Sequence, residues 1–387
     1  MFENIKSYGK RVAIEDDIHG EFSYKDLYIL SNNLKNKISE KSICLLICGN
    51  NIESIVGYLT FMNAKDVVTI LIDQSFKIEF INKISQVYKP KYIFAPKIMK
   101  FKNFSLKNNF KSYNLHLSNL KLKDKIEYIN FLLLPTSGTT QSPKFVRLSK
   151  SNLIENSKGI INELNIKKNH TTITTMPMGY SYGLSILNTH LLIGSKIVLN
   201  ESTIFEKAFW NKIKEKKINS FGGVPEFYDF LRKLKFDQKD LSSIKYITQA
   251  GGKLESDTIN YLEKMCLKKR INFFKMYGQT EASPRISILK WKFFKRKKDS
   301  VGKPLKGCKV GLIDSKGKTI NKKNKIGEIF IKGKNVCLGY SKNINDLSKK
   351  DTNKKKLLTG DLGFIDEDNF IFIVGRKKRF VKLFGIR

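Results

Sequence analysis

The sequence predicts an α/β protein: a doubly wound sheet with helices on both faces, followed by a small β-rich part from about residue 301. Three observations carry this. The runs Ile43-Cys44-Leu45-Leu46-Ile47-Cys48 and Val67-Val68-Thr69-Ile70-Leu71-Ile72 are continuously apolar, as strands covered on both faces are. Stretches with helical spacing alternate with them, which is the order of a βαβ fold. After Val301 the texture changes to short strands separated by Gly, Lys, Asn and Asp turns.

Residues 22–48 read as a short strand, a helix and a strand, with Leu27, Leu30, Leu34 and Ile38 forming the helix's apolar stripe. A helix-like stretch, Ile52–Ala64, leads to the Val67–Ile72 strand. The polar, Asn- and Lys-rich stretch 97–125 reads as an irregular connection. The run Tyr128-Ile129-Asn130-Phe131-Leu132-Leu133-Leu134 reads as a buried strand. Ser149 or Ser151 is placed to cap a helix running to Leu164. Thr171–Met176 is a strand ending at Pro177. Residues 177–184 form a turn into a helix over Ser185–Ile193, and Lys196–Leu199 is a further strand. Ser220–Pro225 and Tyr246–Gly252 are strand-to-helix corners at carboxyl ends of strands, where open α/β sheets bind ligands. Val310–Ile313, Ile326–Ile331 and Phe370–Val374 supply the β-rich part.

A chain of 387 residues suggests two or three domains at ~150 residues each and has ample length for a core. Hydrophobic content of 41% with 27 Phe and 15 Tyr excludes general disorder. There is no apolar run near ~18 residues and no signal-peptide core at the start, so a cytoplasmic enzyme is expected. Five cysteines without a C-x-x-C pair argue against a disulfide framework or zinc site. The four scattered histidines form no metal cluster. The formal charge of +37 would ordinarily point to nucleic acid or anionic membrane. Here the lysines are spread along the whole chain with many Asn and Ile, as an A/T-biased coding sequence would give. Only Lys290–Lys298, with Trp291, Phe293 and Phe294 interleaved, has the pattern of an interaction surface. A solvated face is the simpler reading.

The chemistry concentrates in residues 136–147, Thr-Ser-Gly-Thr-Thr-Gln-Ser-Pro-Lys-Phe-Val-Arg. Ser137, Thr139 and Thr140 supply neutral donors, Gly138 lets backbone N–H groups converge on an anion, and Lys144 adds a point charge. That equipment suits a polyphosphate, although the spacing is not that of a Walker A loop. An ordinary Ser/Thr-rich turn is the alternative.

Four further stretches follow in order: Ala250-Gly251-Gly252-Lys253-Leu254, Met276-Tyr277-Gly278-Gln279-Thr280-Glu281, Thr359-Gly360-Asp361-Leu362, and Gly375-Arg376-Lys377-Lys378-Arg379-Phe380-Val381-Lys382. With the loop above, the set resembles the adenylate-forming superfamily of acyl-CoA synthetases, nonribosomal adenylation domains and luciferases. Phe22–Leu27 and Ile326-Gly327-Glu328-Ile329, Gly333 and Gly339-Tyr340 resemble minor motifs of that family. The resemblance implies a carboxylic acid activated by ATP as acyl-AMP, then passed to coenzyme A or an acyl carrier protein's phosphopantetheine thiol. It implies that Ser137, Gly138, Thr139, Thr140 and Lys144 cradle the outer phosphates and that Thr280 donates to the α-phosphate. Glu281 would bind the Mg²⁺, whose usual mode is one or two carboxylates plus phosphates. Tyr277 and Gly278 with the Gly251-Gly252 backbone would hold adenine, Asp361 the ribose hydroxyls, and Arg376 the ribose or phosphate side. Thr140, Lys144, Thr280 and Glu281 are the residues implied for catalysis. Tyr180, Tyr182, Gly183, Gly222 and Gly223 are candidates for the acid pocket, and Lys378 falls at the hinge.

Three positions depart from the pattern. Gln141 and Phe145 stand where glycine is usual, and Tyr180 where histidine is common in the aryl- and acyl-CoA branches. The resemblance assigns 1–374 to the large nucleotide-binding domain and 375–387 to a hinge with the start of a truncated C-terminal domain. That domain would contribute a lysine to adenylation. An active ligase, a split enzyme with a separate C-terminal lobe, an inactive nucleotide-binding domain and a basic scaffold protein all remain open at this point. Nucleic acid and membrane are not the expected partners.

Overall fold

The computed structural model describes residues 3–119, 131–136 and 144–377, which form two compact units. The first comprises residues 1–154, 167–201 and 337–352. The second comprises residues 155–166, 202–336 and 353–387. No helix among the described residues is long and apolar enough to cross a membrane.

The first unit contains an eight-stranded mixed sheet among the described residues. Its order is Tyr340–Ser341, Phe145–Ser149, Phe131–Pro135, Val67–Asp73, Ser42–Cys48, Tyr92–Pro96, Tyr113–Ser118, Phe104–Phe110. The two apolar runs singled out above are the parallel central strands, buried at every residue. Their two faces feed separate apolar clusters, one with Cys44, Leu46 and Leu71, the other with Ile43, Leu45 and Ile70. The helix Tyr24–Lys35 starts at a capping box: Ser23 accepts from the Asp26 amide while the Asp26 carboxylate accepts from the Ser23 amide. The next helix, Ile52–Asn63, is capped by Asn51 through the Ser54 amide. Four further strands of this unit pair in the order Gly20–Ser23, Val12–Asp16, Lys196–Val198, Thr171–Ile173.

Stretch 97–125 differs from its expectation as an irregular connection. Phe104–Phe110 and Tyr113–Ser118 form an antiparallel hairpin that extends the sheet edge through Tyr92–Pro96. The Asn- and Lys-rich sequence hides it, because those residues have low strand propensity and the outer strand is largely exposed. The helix expected from Ser185 begins instead at Ser181 and ends at Ile193. Gly183, read as a turn residue, sits in its first turn because a Cβ there would lie 2.1 Å from the Pro177 carbonyl oxygen.

The second unit holds parallel strands Ser220–Gly223, Tyr246–Gln249 and Asn272–Gly278, with Arg285–Leu289 and Lys303–Pro304 added antiparallel. The helix Pro225–Lys233 follows the first of these strands, with proline in its first turn. The β-rich part is the sheet Thr319–Ile320, Cys308–Ile313, Gly327–Gly333, Lys356–Ile365, Ile371–Arg376, antiparallel throughout. The Trp291–Lys297 helix is a packing element. Phe294 is fully buried, Phe293 stacks edge-on against Phe370, Lys297 pairs with Asp366 and Asp368, and Lys290 pairs with Glu163.

Candidate functional site

Each unit holds its own group of candidate side chains. In the second, the strand Asn272–Gly278 delivers Tyr277 and the strand Lys356–Ile365 delivers Asp361. The Tyr277 hydroxyl donates to Asp361 Oδ2 at 2.6 Å, and Arg376 Nε donates to Asp361 Oδ1 at 2.8 Å. Asp361 is 5% exposed, its backbone held by the Thr359 hydroxyl, which in turn donates to the Ile329 carbonyl. Tyr277 remains half-buried. Burial and the adjacent Asp361 charge push the Tyr277 hydroxyl well above the usual tyrosine range. The same carboxylate, with lesser contributions from Tyr277 and Glu281, raises Arg376.

The segment after Tyr277 is fixed from several sides. Gly278 has no room for a side chain, since a Cβ would lie 1.9 Å from the Pro284 carbonyl oxygen. Gln279 donates through its amide to that same oxygen, and Thr280–Ala282 forms a 3-10 turn. The Asn156 and Asn335 amides each donate to the carbonyls of Ala282 and Arg285, bracketing the turn that presents Thr280 and half-buried Glu281. Gly251 takes φ +96°, a backbone conformation favouring glycine, and exposes the turn after Tyr246–Gln249. Gln249 Nε2 donates to the Gly252 carbonyl and pins that turn. Gly222 and Gly223 end the neighbouring strand, and the Phe227 ring fills the space beside Gly223.

In the first unit, Phe131–Pro135 runs parallel to Val67–Asp73 and antiparallel to Phe145–Ser149. Pro135 pairs with Phe145, so Lys144 lies at the carboxyl edge of the sheet, where α/β sheets bind ligands. The Lys144 ammonium sits 3.8 Å from the centre of the Tyr340 ring. Ser137, Gly138, Thr139 and Thr140, and likewise Lys378, lie outside the described residues. At the same edge, Phe76 in the loop after Asp73 links two further rings, Phe80 of the helix Ile78–Tyr88 and Tyr180. Phe80 stacks on Phe76 at 5.1 Å, and Phe76 faces Tyr180 at 6.4 Å and 27°. Tyr180 is 42% exposed, whereas Tyr182 is buried in the first turn of its helix. Sequence reasoning placed Tyr180 at a pocket but not its ring partners, which lie about a hundred residues away and carry no local signal.

The set in the second unit offers a ring face, an anionic acceptor and a cation within one cluster, which is what a nucleoside monophosphate requires. Glu281 offers a single carboxylate, and no group of three or more metal-ligating side chains exists among the described residues. That donor set fits Mg²⁺ held partly by phosphates rather than an all-protein cage.

Residues 1–341 match the AMP-binding enzyme family. The chain therefore belongs to this adenylate-forming family. Its relatives include the 2-succinylbenzoate–CoA ligase of Bacillus cytotoxicus, 29% identical over 246 residues, which are 63% of this chain and 49% of that protein. The oxalate–CoA ligase of Saccharomyces cerevisiae is 28% identical over 257 residues, 66% of this chain and 46% of that protein. The chain thus spans about half the length of these curated relatives. The fold is that of o-succinylbenzoate coenzyme A synthetase from Bacillus subtilis, solved in complex with ATP and magnesium ion. The TM-score is 0.78 at 19% identity, covering 97% of this chain and 79% of that one.

Proposed function

We propose that this protein is an ATP-dependent acid–thiol ligase that forms an acyl-AMP and transfers the acyl group to a thiol. The observation that carries the reading is the Tyr277–Asp361–Arg376 cluster beside the Gly251 turn. The half-buried Tyr277 ring is suited to stack on adenine, and Asp361 to accept from both ribose hydroxyls. Arg376 neutralises the carboxylate before nucleotide arrives and is available to the ribose or phosphate side afterwards. Lys144, with the hydroxyls of Ser137, Thr139 and Thr140, would take the outer phosphates, and Thr280 would donate to the α-phosphate. Glu281 would hold Mg²⁺, which supplies charge neutralisation on the phosphates. A carboxylate oxygen attacks the α-phosphorus and pyrophosphate leaves. The thiolate of coenzyme A or of a carrier protein's phosphopantetheine then attacks the acyl carbonyl, and AMP leaves.

Both relatives named above are ligases for acids with two carboxylates, and Tyr180 with the Phe76–Phe80 stack presents flat apolar surface where an acid would enter. A carboxylate bearing a planar or compact body is therefore the first class to try. The test is carboxylate-dependent ATP–pyrophosphate exchange on the 387-residue chain, with aromatic dicarboxylates, short dicarboxylates and fatty acids in separate pools. Exchange with one pool, lost in Lys144→Ala, is the expected result. Absence of exchange together with absence of ATP binding by calorimetry would overturn the reading.

A further inference from the structure

Lys144 is a long, flexible side chain at the edge of a sheet, and an ammonium carries ~2 kcal/mol of rotamer freedom that a phosphate contact must suppress. The structure restrains it by an unusual route. The Lys144 nitrogen caps the Tyr340 ring at 3.8 Å from the centroid, well inside the ~6 Å reach of a cation–π contact. Tyr340 is itself fixed. It lies in the two-residue strand Tyr340–Ser341, which pairs antiparallel with Phe145–Ser149 through Tyr340 opposite Val146 and Ser341 opposite Phe145. The Ser341 hydroxyl is in contact with the buried Tyr88 hydroxyl at 3.0 Å.

Behind that strand stands Arg147, whose side chain is fully buried. Its two terminal nitrogens donate to the carbonyls of Leu338, Asp346, Lys349 and Lys350, gathering the whole 338–350 segment around one guanidinium. The Arg147 amide donates to the Gly339 carbonyl, and the Leu338 amide to the Arg147 carbonyl. Gly339 takes φ +119°, and a Cβ there would lie 2.1 Å from the Thr352 hydroxyl oxygen. Two residues of one strand, Phe145 and Arg147, thereby anchor the neighbour that carries the ring, and Lys144 precedes them directly.

From this geometry we infer that Tyr340 is a positioning residue for the phosphate-loop lysine: its ring face holds the Lys144 ammonium at the carboxyl edge of the sheet. The inference rests on the reading of Lys144 as a phosphate ligand. A ring caps an ammonium from one side only, and the ammonium has three N–H donors, so the open side stays available to phosphate oxygens. The ring contact and the phosphate contact are compatible, and Tyr340 acts in both the empty and the nucleotide-bound protein. No hydrogen bond from the Tyr340 hydroxyl is required, so phenylalanine should serve as well.

The experiment is a double-mutant cycle on the 387-residue chain, with the dissociation constant of ATP and Mg²⁺ read by calorimetry. Tyr340→Leu should raise Kd about fivefold, and Tyr340→Phe should change it less than about twofold. In the Lys144→Ala background, Tyr340→Leu should have no further effect. Because leucine also alters packing, a second series replaces Tyr340 by phenylalanine with one, two and three ring fluorines. Fluorination keeps the shape of the ring and drains its face of electrons, so Kd should climb with each fluorine. A flat fluorine series, or additive effects of Tyr340→Leu and Lys144→Ala, with Lys144→Ala still weakening ATP, would overturn the positioning role alone. Lys144→Ala with unchanged ATP affinity would overturn the phosphate reading, and the inference with it.

Discussion

Asp361 has each of its two carboxylate oxygens committed, one to the Tyr277 hydroxyl and one to Arg376. A buried carboxylate held in this way is stable without ligand, and each oxygen keeps a second lone pair for an incoming hydroxyl. Replacing Asp361 by Asn removes a charged acceptor, so Asp361→Asn should weaken AMP binding by about tenfold or more. Tyr277→Phe keeps the ring and should cost only a few-fold, whereas Tyr277→Ala removes the stacking face and should cost more; calorimetric titration with AMP separates the three. The pH behaviour has a definite sign. With its pKa raised above the usual 10.0, the protonated Tyr277 hydroxyl stabilises the fold fully below that pH, and this contribution is lost as pH rises through the raised value. Asp361→Asn removes the main charge opposing ionisation, so the Tyr277 phenol should titrate at lower pH, read by ultraviolet difference absorbance. Tyr277 and Asp361 were singled out in the sequence through the motifs around them. Their direct bond was not, because 84 residues separate the partners and nothing local encodes the register that brings them together.

Among the elements, those with one dominant signal were legible. The continuous apolar runs became the buried central strands, and of the two cap candidates, Ser149 and Ser151, the structure uses Ser149, whose Oγ accepts from the Asn152 amide. Elements whose stability comes from neighbours were not. The Phe104–Phe110 strand exists by pairing with Tyr113–Ser118, and the first turn of the Ser181–Ile193 helix tolerates Gly183 because the Pro177 carbonyl fills the place of a side chain. Arg147 is the strongest case. In sequence it is one of 72 basic residues, and in the structure it is the post around which residues 338–350 are wound. Desolvation lowers its pKa, and four backbone carbonyl oxygens accept from the cation. Arg147→Lys keeps the charge but offers three donors that cannot span four carbonyls. It should destabilise the protein by about 3 kcal/mol, since it leaves buried acceptors unmatched. Urea unfolding would measure this, and a loss under ~1 kcal/mol would mean that water replaces the guanidinium at little cost.

Over the whole molecule, the five cysteines report on integrity in both units: Cys44, Cys48 and Cys337 in the first, Cys266 and Cys308 in the second. All five are buried free thiols and pack as small core residues. Burial pushes Cys44 up to about 12 and Cys308 to about 11, and raises Cys48 and Cys266 as well. A disulfide reagent attacks the thiolate, so near pH 8 these groups are protected twice, by exclusion of the reagent and by scarcity of the reactive form. Modification must then proceed through opening of the core, whose population falls tenfold for each 1.4 kcal/mol of opening free energy. In the native protein each thiol should react at least ~100-fold more slowly than in denaturant, where all five become available. Raising the pH from 7 to 9 should accelerate the denatured reaction far more than it exposes any native thiol, because unfolded thiols titrate near ~8.5. Site-resolved mass spectrometry of the labelled chain gives the five rates separately. A cysteine that labels in the native state at its denatured rate would show that the strand or helix bearing it is not packed as described. Protection of all five that strengthens with added ATP would tie the nucleotide site to the stability of the fold, because a ligand bound only by the native state lowers the population of every globally opened form.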